Sequence, residues 1–186
     1  MAHDAAPTSL SGDNVVTKWA QPQPPGGFAK LLDCGARAFD LRPYLLRDGR
    51  LIMAHHEIRV NHSLSDAVGE VVQWSEGRAG EEDLVVLGVT DCQMESPTKE
   101  SPSCVDATAA LLKSFNISFV KNCDAMRGLT LQDALKMSTV ERGGGHILAV
   151  NSCWSENYQQ NVTCNGVDGW HEYSCYVNAS TKSIPL

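Results

Sequence analysis

Residues Leu84 to Val89 read Leu-Val-Val-Leu-Gly-Val, with no polar side chain among them. A strand with one face in water alternates polar and apolar residues, whereas an unbroken apolar run is the mark of a strand buried on both faces. Such a strand needs a layer of packing on each side, and the rest of the chain offers helices for that purpose. Residues 63–74 place Leu64, Val68 and Val71 on one helical face, with Ser63 as a cap. Residues 105–115 read as a second helix and 131–137 as a third, capped by Thr130. A shorter helix over 28–33 is closed by Gly35. Further strands are expected over 36–41, ended by Pro43, and over 50–55 after the Asp48-Gly49 turn. Two more are expected over 117–120 and 147–150. Residues 21–27 are a loop by composition. Strands alternating with helices predict an α/β fold, a parallel sheet with helices outside it. A closed barrel and a doubly wound sheet both fit the pattern. The length, 186 residues, suits one domain over 1–186.

Charge and cysteine content narrow the setting. There are 22 acidic against 15 basic residues, a formal charge of -7, which argues against nucleic acid as a partner. No run of about 18 apolar residues is long enough to span a membrane. Seven cysteines (Cys34, Cys92, Cys104, Cys123, Cys153, Cys164 and Cys175) contain no Cys-x-x-Cys pair, so a structural zinc site is not expected. Asn-x-Ser/Thr sequons stand at Asn61, Asn116, Asn161 and Asn178, where chance would supply about one. Together these features favour an oxidising compartment and a secreted or lumenal glycoprotein. Residues 1–14 lack the apolar core of a signal peptide, so the expectation is that Met1 is not the natural start and the chain is a mature form or fragment. From about residue 151 the chain carries three cysteines and two sequons, and reads as a disulfide-tied loop region.

Three short segments can carry chemistry. They are Met1-Ala2-His3-Asp4, Gly35 through Pro43, and Leu51-Ile52-Met53-Ala54-His55-His56. Residues i and i+2 of a strand share a face, so Asp40 and Arg42 project together. A charged pair at a strand end of a βα-type sheet is where active sites lie, and also where structural ion pairs are common. His55 and His56 point to opposite faces, so one of the two shares a site with the pair. Trp154, Tyr158, Trp170 and Tyr173 are read as packing on the tail's disulfides, and His62 as exposed. His146, after Gly143-Gly144-Gly145, is read as starting a strand; no Lys-Ser/Thr follows those glycines to make a phosphate loop.

Taken together, the three segments resemble the catalytic half of the phosphatidylinositol-specific phospholipase C family, the X-domain-like phosphodiesterases with a TIM-type (β/α) barrel. That family has a His-Asp ending its first strand, a Gly-x-Arg-x-Phe/Leu-Asp-x-Arg segment on the second and a His-His-Gly or His-Gly ending the third. An amphipathic helix with acidic residues and a Trp follows. The matching stretches here are Ala2-His3-Asp4, Gly35 through Pro43, His55-His56-Glu57 and residues 63–74, with residues 84–91 as the fourth strand. Thr90 or Asp91 stands where the family has a Lys or Glu. The family barrel is longer than this chain, so the resemblance implies an incomplete barrel, with its first and last strands short or missing.

The resemblance implies a phosphoric diester hydrolase in which an inositol hydroxyl of the substrate attacks phosphorus. His3 would be the general base and His56 the general acid for the departing diacylglycerol oxygen. Arg42 would bind the phosphate, and Asp40 and Asp4 would orient and charge-stabilise His56. An arginine at position 42, where the calcium-dependent branch has an acidic residue, implies the metal-independent branch and no cofactor. Histidines ending the first and third of three neighbouring parallel strands would flank the charged pair. The implied partner is phosphatidylinositol or a glycosylated phosphatidylinositol, met by peripheral membrane contact. The alternative, from another class, is a secreted barrel without turnover that binds inositol lipid or a protein.

Overall fold

The computed structural model describes residues 27–55, 58–77, 83–95, 102–121, 129–138, 140 and 145–151. In chain order the elements are α1 (Gly27–Asp33), β1 (Ala38–Leu41), β2 (Pro43–Leu45), β3 (Leu51–His55), β4 (Ile58–Ser63), α2 (Leu64–Glu76), β5 (Leu84–Val89), β6 (Gln93–Met94), α3 (Cys104–Ser114), β7 (Ser118–Val120), α4 (Leu131–Ser138) and β8 (His146–Asn151).

The caps expected at Ser63 and Thr130 set two of the helix ends, and Ser103 supplies a further one. The Ser63 hydroxyl accepts from the Asp66 N–H, and the Ser103 hydroxyl from that of Asp106. At α4 the Thr130 hydroxyl accepts from the Asp133 N–H while the Asp133 carboxylate accepts from the Thr130 N–H, a reciprocal capping box. The Thr130 hydroxyl also donates to the Asp133 carboxylate at 2.6 Å, and this bond, followed by that from the Thr130 N–H, holds the Asp133 carboxyl below the usual carboxylate range. Helix α1 ends in a Schellman motif: the Ala36 N–H donates to the Leu31 carbonyl and the Gly35 N–H to that of Leu32, both at 2.9 Å. Gly35 takes φ +96°, a conformation other residues resist, so the glycine turns the chain from α1 into β1.

Two sheets result. The first is wholly parallel, in the order β1-β5-β8-β7. Helices α1 and α2 pack on one face of it, where Phe28, Leu32, Val68 and Val71 meet Phe39, Leu87 and Ile147 in a common core. The Phe28 and Phe39 rings lie 5.1 Å apart, tilted. On the other face α4 lays Ala134 against Leu148, bordered by Leu84, Val120 and Val150. Each such large apolar side chain contributes about 1.5–3 kcal/mol by leaving water. The α/β expectation is met here, with a difference at β5. Val85, Leu87 and Val89 are buried, while Leu84, Val86 and Gly88 are half-buried. Strand β8 carries the full double burial, at Ile147, Leu148 and Ala149, because α4 sits over it.

The second sheet departs from the sequence expectation. Its order is β4-β3-β2-β6, with β3 antiparallel to β2 and β4 and with β6 parallel to β2. Pro43 does not end a strand; it begins β2, a position at which proline is tolerated. The strand after the Asp48-Gly49 turn thus pairs back on β2 and not into the parallel sheet. A barrel of successive βα units would set its parallel strands side by side in chain order, whereas here β8 lies between β5 and β7. Closure into a barrel is not seen among the described residues.

The triple glycine of the sequence ends in a close approach. A Cβ on Gly145 would collide with the side chain of Ser75, which is buried near the end of α2. Gly145→Ala is therefore expected to destabilise the fold by about 1–3 kcal/mol through overpacking. A fall in the urea midpoint at unchanged m-value would register it.

Candidate functional site

Strand β1 brings Asp40 to the C-terminal end of the parallel sheet, where it lies level with Gly88 of β5. Phe39 and Leu41 turn into the core, so Asp40 takes the opposite face, yet it is only 3% exposed. A carboxylate so buried needs partners. Arg42 supplies them: its Nε donates to Asp40 Oδ2 at 3.0 Å, and a second guanidinium nitrogen lies 3.0 Å from the same oxygen. The Arg42 side chain is 12% exposed. The i, i+2 reading of the sequence is thus realised as a near-buried ion pair.

Thr90, the residue after β5, completes the arrangement. Its N–H donates to the Leu41 carbonyl at 2.8 Å, extending the β1–β5 ladder by one bond. Its hydroxyl donates to Asp40 Oδ1. One carboxylate oxygen faces the guanidinium and the other the hydroxyl, which fixes the rotation of the carboxyl group. The sequence marked Thr90 or Asp91 only as a strand-end position. The contact between Thr90 and Asp40 spans 50 residues and has no local signal.

The chain then turns sharply. Asp91 adopts φ +42°, which Asp tolerates better than most non-glycine residues, and its carboxylate accepts from the Gln93 side chain at 3.0 Å. Cys92 is joined to Cys104, the first residue of α3, with 5.7 Å between Cα atoms. The disulfide closes the 92–104 segment beside the site, and within it β6 pairs with β2. Cys34 is exposed and makes no disulfide with any described residue.

Strand β3 approaches from the second sheet. The Ala54 N–H donates to the Arg42 carbonyl at 2.9 Å, so the end of β3 adjoins the charged pair. The expected trio of neighbouring parallel strands is not what is found, because β3 runs antiparallel to β2 and is not in the sheet of β1. His55 is the last residue of β3 and pairs with Ile58. His56, Glu57, His3 and Asp4 lie outside the described residues, as does the region from 152 onward with its cysteines and aromatic residues. Asp40 and Arg42 are therefore the candidate residues the structure brings together.

Other conspicuous side chains are structural. Trp74 donates its indole N–H to Asp33 at 2.8 Å, and Arg37 lies 4.7 Å over its ring while paired with Asp83 at 2.7 Å. His146 Nδ1 lies 3.0 Å from the Leu135 carbonyl and 3.2 Å from the Ser138 hydroxyl, tying β8 to α4. On the second sheet Arg59 covers the Tyr44 ring at 4.5 Å and pairs with Glu95. The Arg47 N–H and the Arg59 guanidinium hold the Glu95 carboxyl below its ordinary range. Among the described residues no three His, Cys, Asp or Glu side chains are grouped to hold a metal ion, and no helix is long and apolar enough to cross a membrane.

No protein-family model matches this chain, and no curated protein matches it in sequence. Solved structures match in fold. A double mutant of the phosphatidylinositol-specific phospholipase C from S. aureus superposes with a TM-score of 0.59 at 18% identity, over 81% of this chain and 45% of that one. A second structure, connected with membrane binding by the same enzyme, gives 0.58 with the same identity and coverage. The architecture thus defines an α/β protein with a phospholipase C-like fold. The chain spans less than half the length of the S. aureus enzyme.

Proposed function

We propose that this chain is the catalytic half of a phosphoric diester hydrolase of the phosphatidylinositol-specific phospholipase C type. The observation that carries the reading is the Asp40–Arg42 pair at the C-terminal end of β1. That is the end of a parallel sheet at which α/β enzymes place their chemistry. The likeness in fold to the S. aureus enzyme supports the same reading.

In the proposed reaction Arg42 binds the phosphoryl oxygens, its guanidinium standing where charge builds up as phosphorus is attacked. Asp40, turned by Thr90, holds that guanidinium in place. His3 takes the proton of the attacking inositol hydroxyl, and His56 protonates the departing diacylglycerol oxygen. Asp40 and Asp4 orient His56. Arg42 then does the work of a bound cation, so the reaction proceeds without a metal ion. The proposed substrate is phosphatidylinositol or a glycosylated phosphatidylinositol, reached by peripheral contact with a membrane. We place the whole chain in one domain and the protein in the secretory pathway. The Cys92–Cys104 disulfide and the four sequons support that compartment.

Release of inositol phosphate from phosphatidylinositol vesicles, measured in EDTA, tests the reading. Release should persist in EDTA and vanish in His56→Ala. A folded chain that releases nothing would overturn it. A second reading, a binding module for inositol lipid, is favoured by one observation: the Arg42 guanidinium is already paired with Asp40 and its side chain is only 12% exposed, as in a structural ion pair. Co-sedimentation of the silent chain with those vesicles, and not with phosphatidylcholine alone, would select that reading.

A further inference from the structure

We propose that Asn116 carries an N-linked glycan, on the side of the parallel sheet away from the Asp40–Arg42 site. The inference rests on the secretory reading above and not on the phosphodiesterase one.

Asn116-Ile117-Ser118 satisfies the sequon, and in the fold Asn116 is exposed. It follows the last turn of α3 at φ +57°. Its N–H donates to the Lys113 carbonyl at 2.9 Å, and the Ile117 N–H donates to that of Leu112 at 3.0 Å. Asn116 is therefore the left-handed residue of a Schellman cap, a position where glycine is the usual choice. Capping alone accounts for an asparagine there less well than for a glycine. A hydroxyl two residues on is what turns the position into an acceptor.

Placement makes the site compatible with a working protein. Ser118 is level with Leu148, Leu148 with Val86, and Asp40 with Gly88. Asn116 thus lies beyond the N-terminal end of β7, three strands across from β1 in the sheet order. At about 3.3 Å per residue and 4.8 Å per strand the separation is on the order of 20 Å. A glycan there leaves the C-terminal end of the sheet open.

The folded state also fixes when the sugar is added. Ile117 is 4% exposed, and the Ser118 hydroxyl donates to the Met137 carbonyl of α4 at 2.6 Å. Transfer precedes this docking, on the emerging chain. The Asn116 amide nitrogen attacks the anomeric carbon of an oligosaccharide carried on a polyprenyl diphosphate. The new carbon–nitrogen bond replaces the sugar–oxygen bond, the polyprenyl diphosphate leaves, and the amide proton passes to a base of the transferase.

The test is to secrete the full chain from a eukaryotic cell and treat it with a glycan-releasing amidase in heavy-oxygen water. The peptide containing Asn116 is expected to carry the heavy-oxygen aspartate mark in most copies. The mark should disappear in Asn116→Gly, which keeps the cap, and in Ser118→Ala, and should persist in Ser118→Thr. An unmarked Asn116 peptide in a protein whose other sequons are marked would overturn the assignment. If no sequon is marked, the secretory reading falls with it.

Discussion

Replacing Asp40 with alanine is expected to destabilise the fold by about 3–5 kcal/mol, the cost of removing one partner from a buried ion pair. The size follows from burial. Asp40 is 3% exposed and the Arg42 side chain 12%, so the guanidinium has little access to water. The substitution takes away the oxygen that now faces two of its nitrogens. Thr90→Val removes a single hydrogen bond to the same carboxylate and should cost less, about 1–3 kcal/mol. Urea unfolding of the three proteins measures both. A loss below about 1 kcal/mol for Asp40→Ala would mean that Arg42 swings to solvent without penalty, and the pair would then be a surface feature. If the proposed hydrolysis is real, Asp40→Ala should also abolish it under conditions where most of the variant remains folded.

Removing the Cys92–Cys104 disulfide by the double change to serine is expected to cost about 3 kcal/mol, as for a loop of some 15 residues in the unfolded chain. The separation here is 12 residues. The effect should not stay local. Cys92 is two residues beyond Thr90, and Cys104 opens α3. Releasing the segment frees the backbone that presents the Thr90 hydroxyl to Asp40. Reductant should lower the stability of the wild-type protein more than that of the double variant. Equal sensitivity of the two to reductant would assign the effect to cysteines elsewhere in the chain.

Legibility in the sequence followed the range of the forces involved. Helices α1 to α4 were visible because caps and apolar spacing are local; Ser63 and Thr130 sit where the structure uses them. Strand β5 was visible as an apolar run, and Asp40 with Arg42 because i, i+2 geometry needs no tertiary information. Of the second sheet only β3 was visible, as the strand over 50–55 after the Asp48-Gly49 turn. Residues 58–63 alternate for only three positions before the polar Asn61-His62-Ser63, and β6 is two residues long. Such strands exist only because neighbours pair with them, and that pairing is tertiary. The strand order β1-β5-β8-β7 was equally out of reach, since apolar patterning says that a strand is buried but not beside which other. Thr90 was marked as a strand end and no more; its bond to Asp40 depends on the β1–β5 register.

Arg42 occupies the single position between β1, in the first sheet, and β2, in the second. Its side chain is fastened to the first through Asp40, while its carbonyl is fastened to the second through Ala54. In mechanical terms the residue is a rivet through two plates. Tilting one sheet against the other shears the guanidinium away from the carboxylate, and pulling the guanidinium toward an anion loads the backbone at the end of β3. The charged pair and the alignment of the two sheets thus meet in one residue, beside the end of β3 at His55.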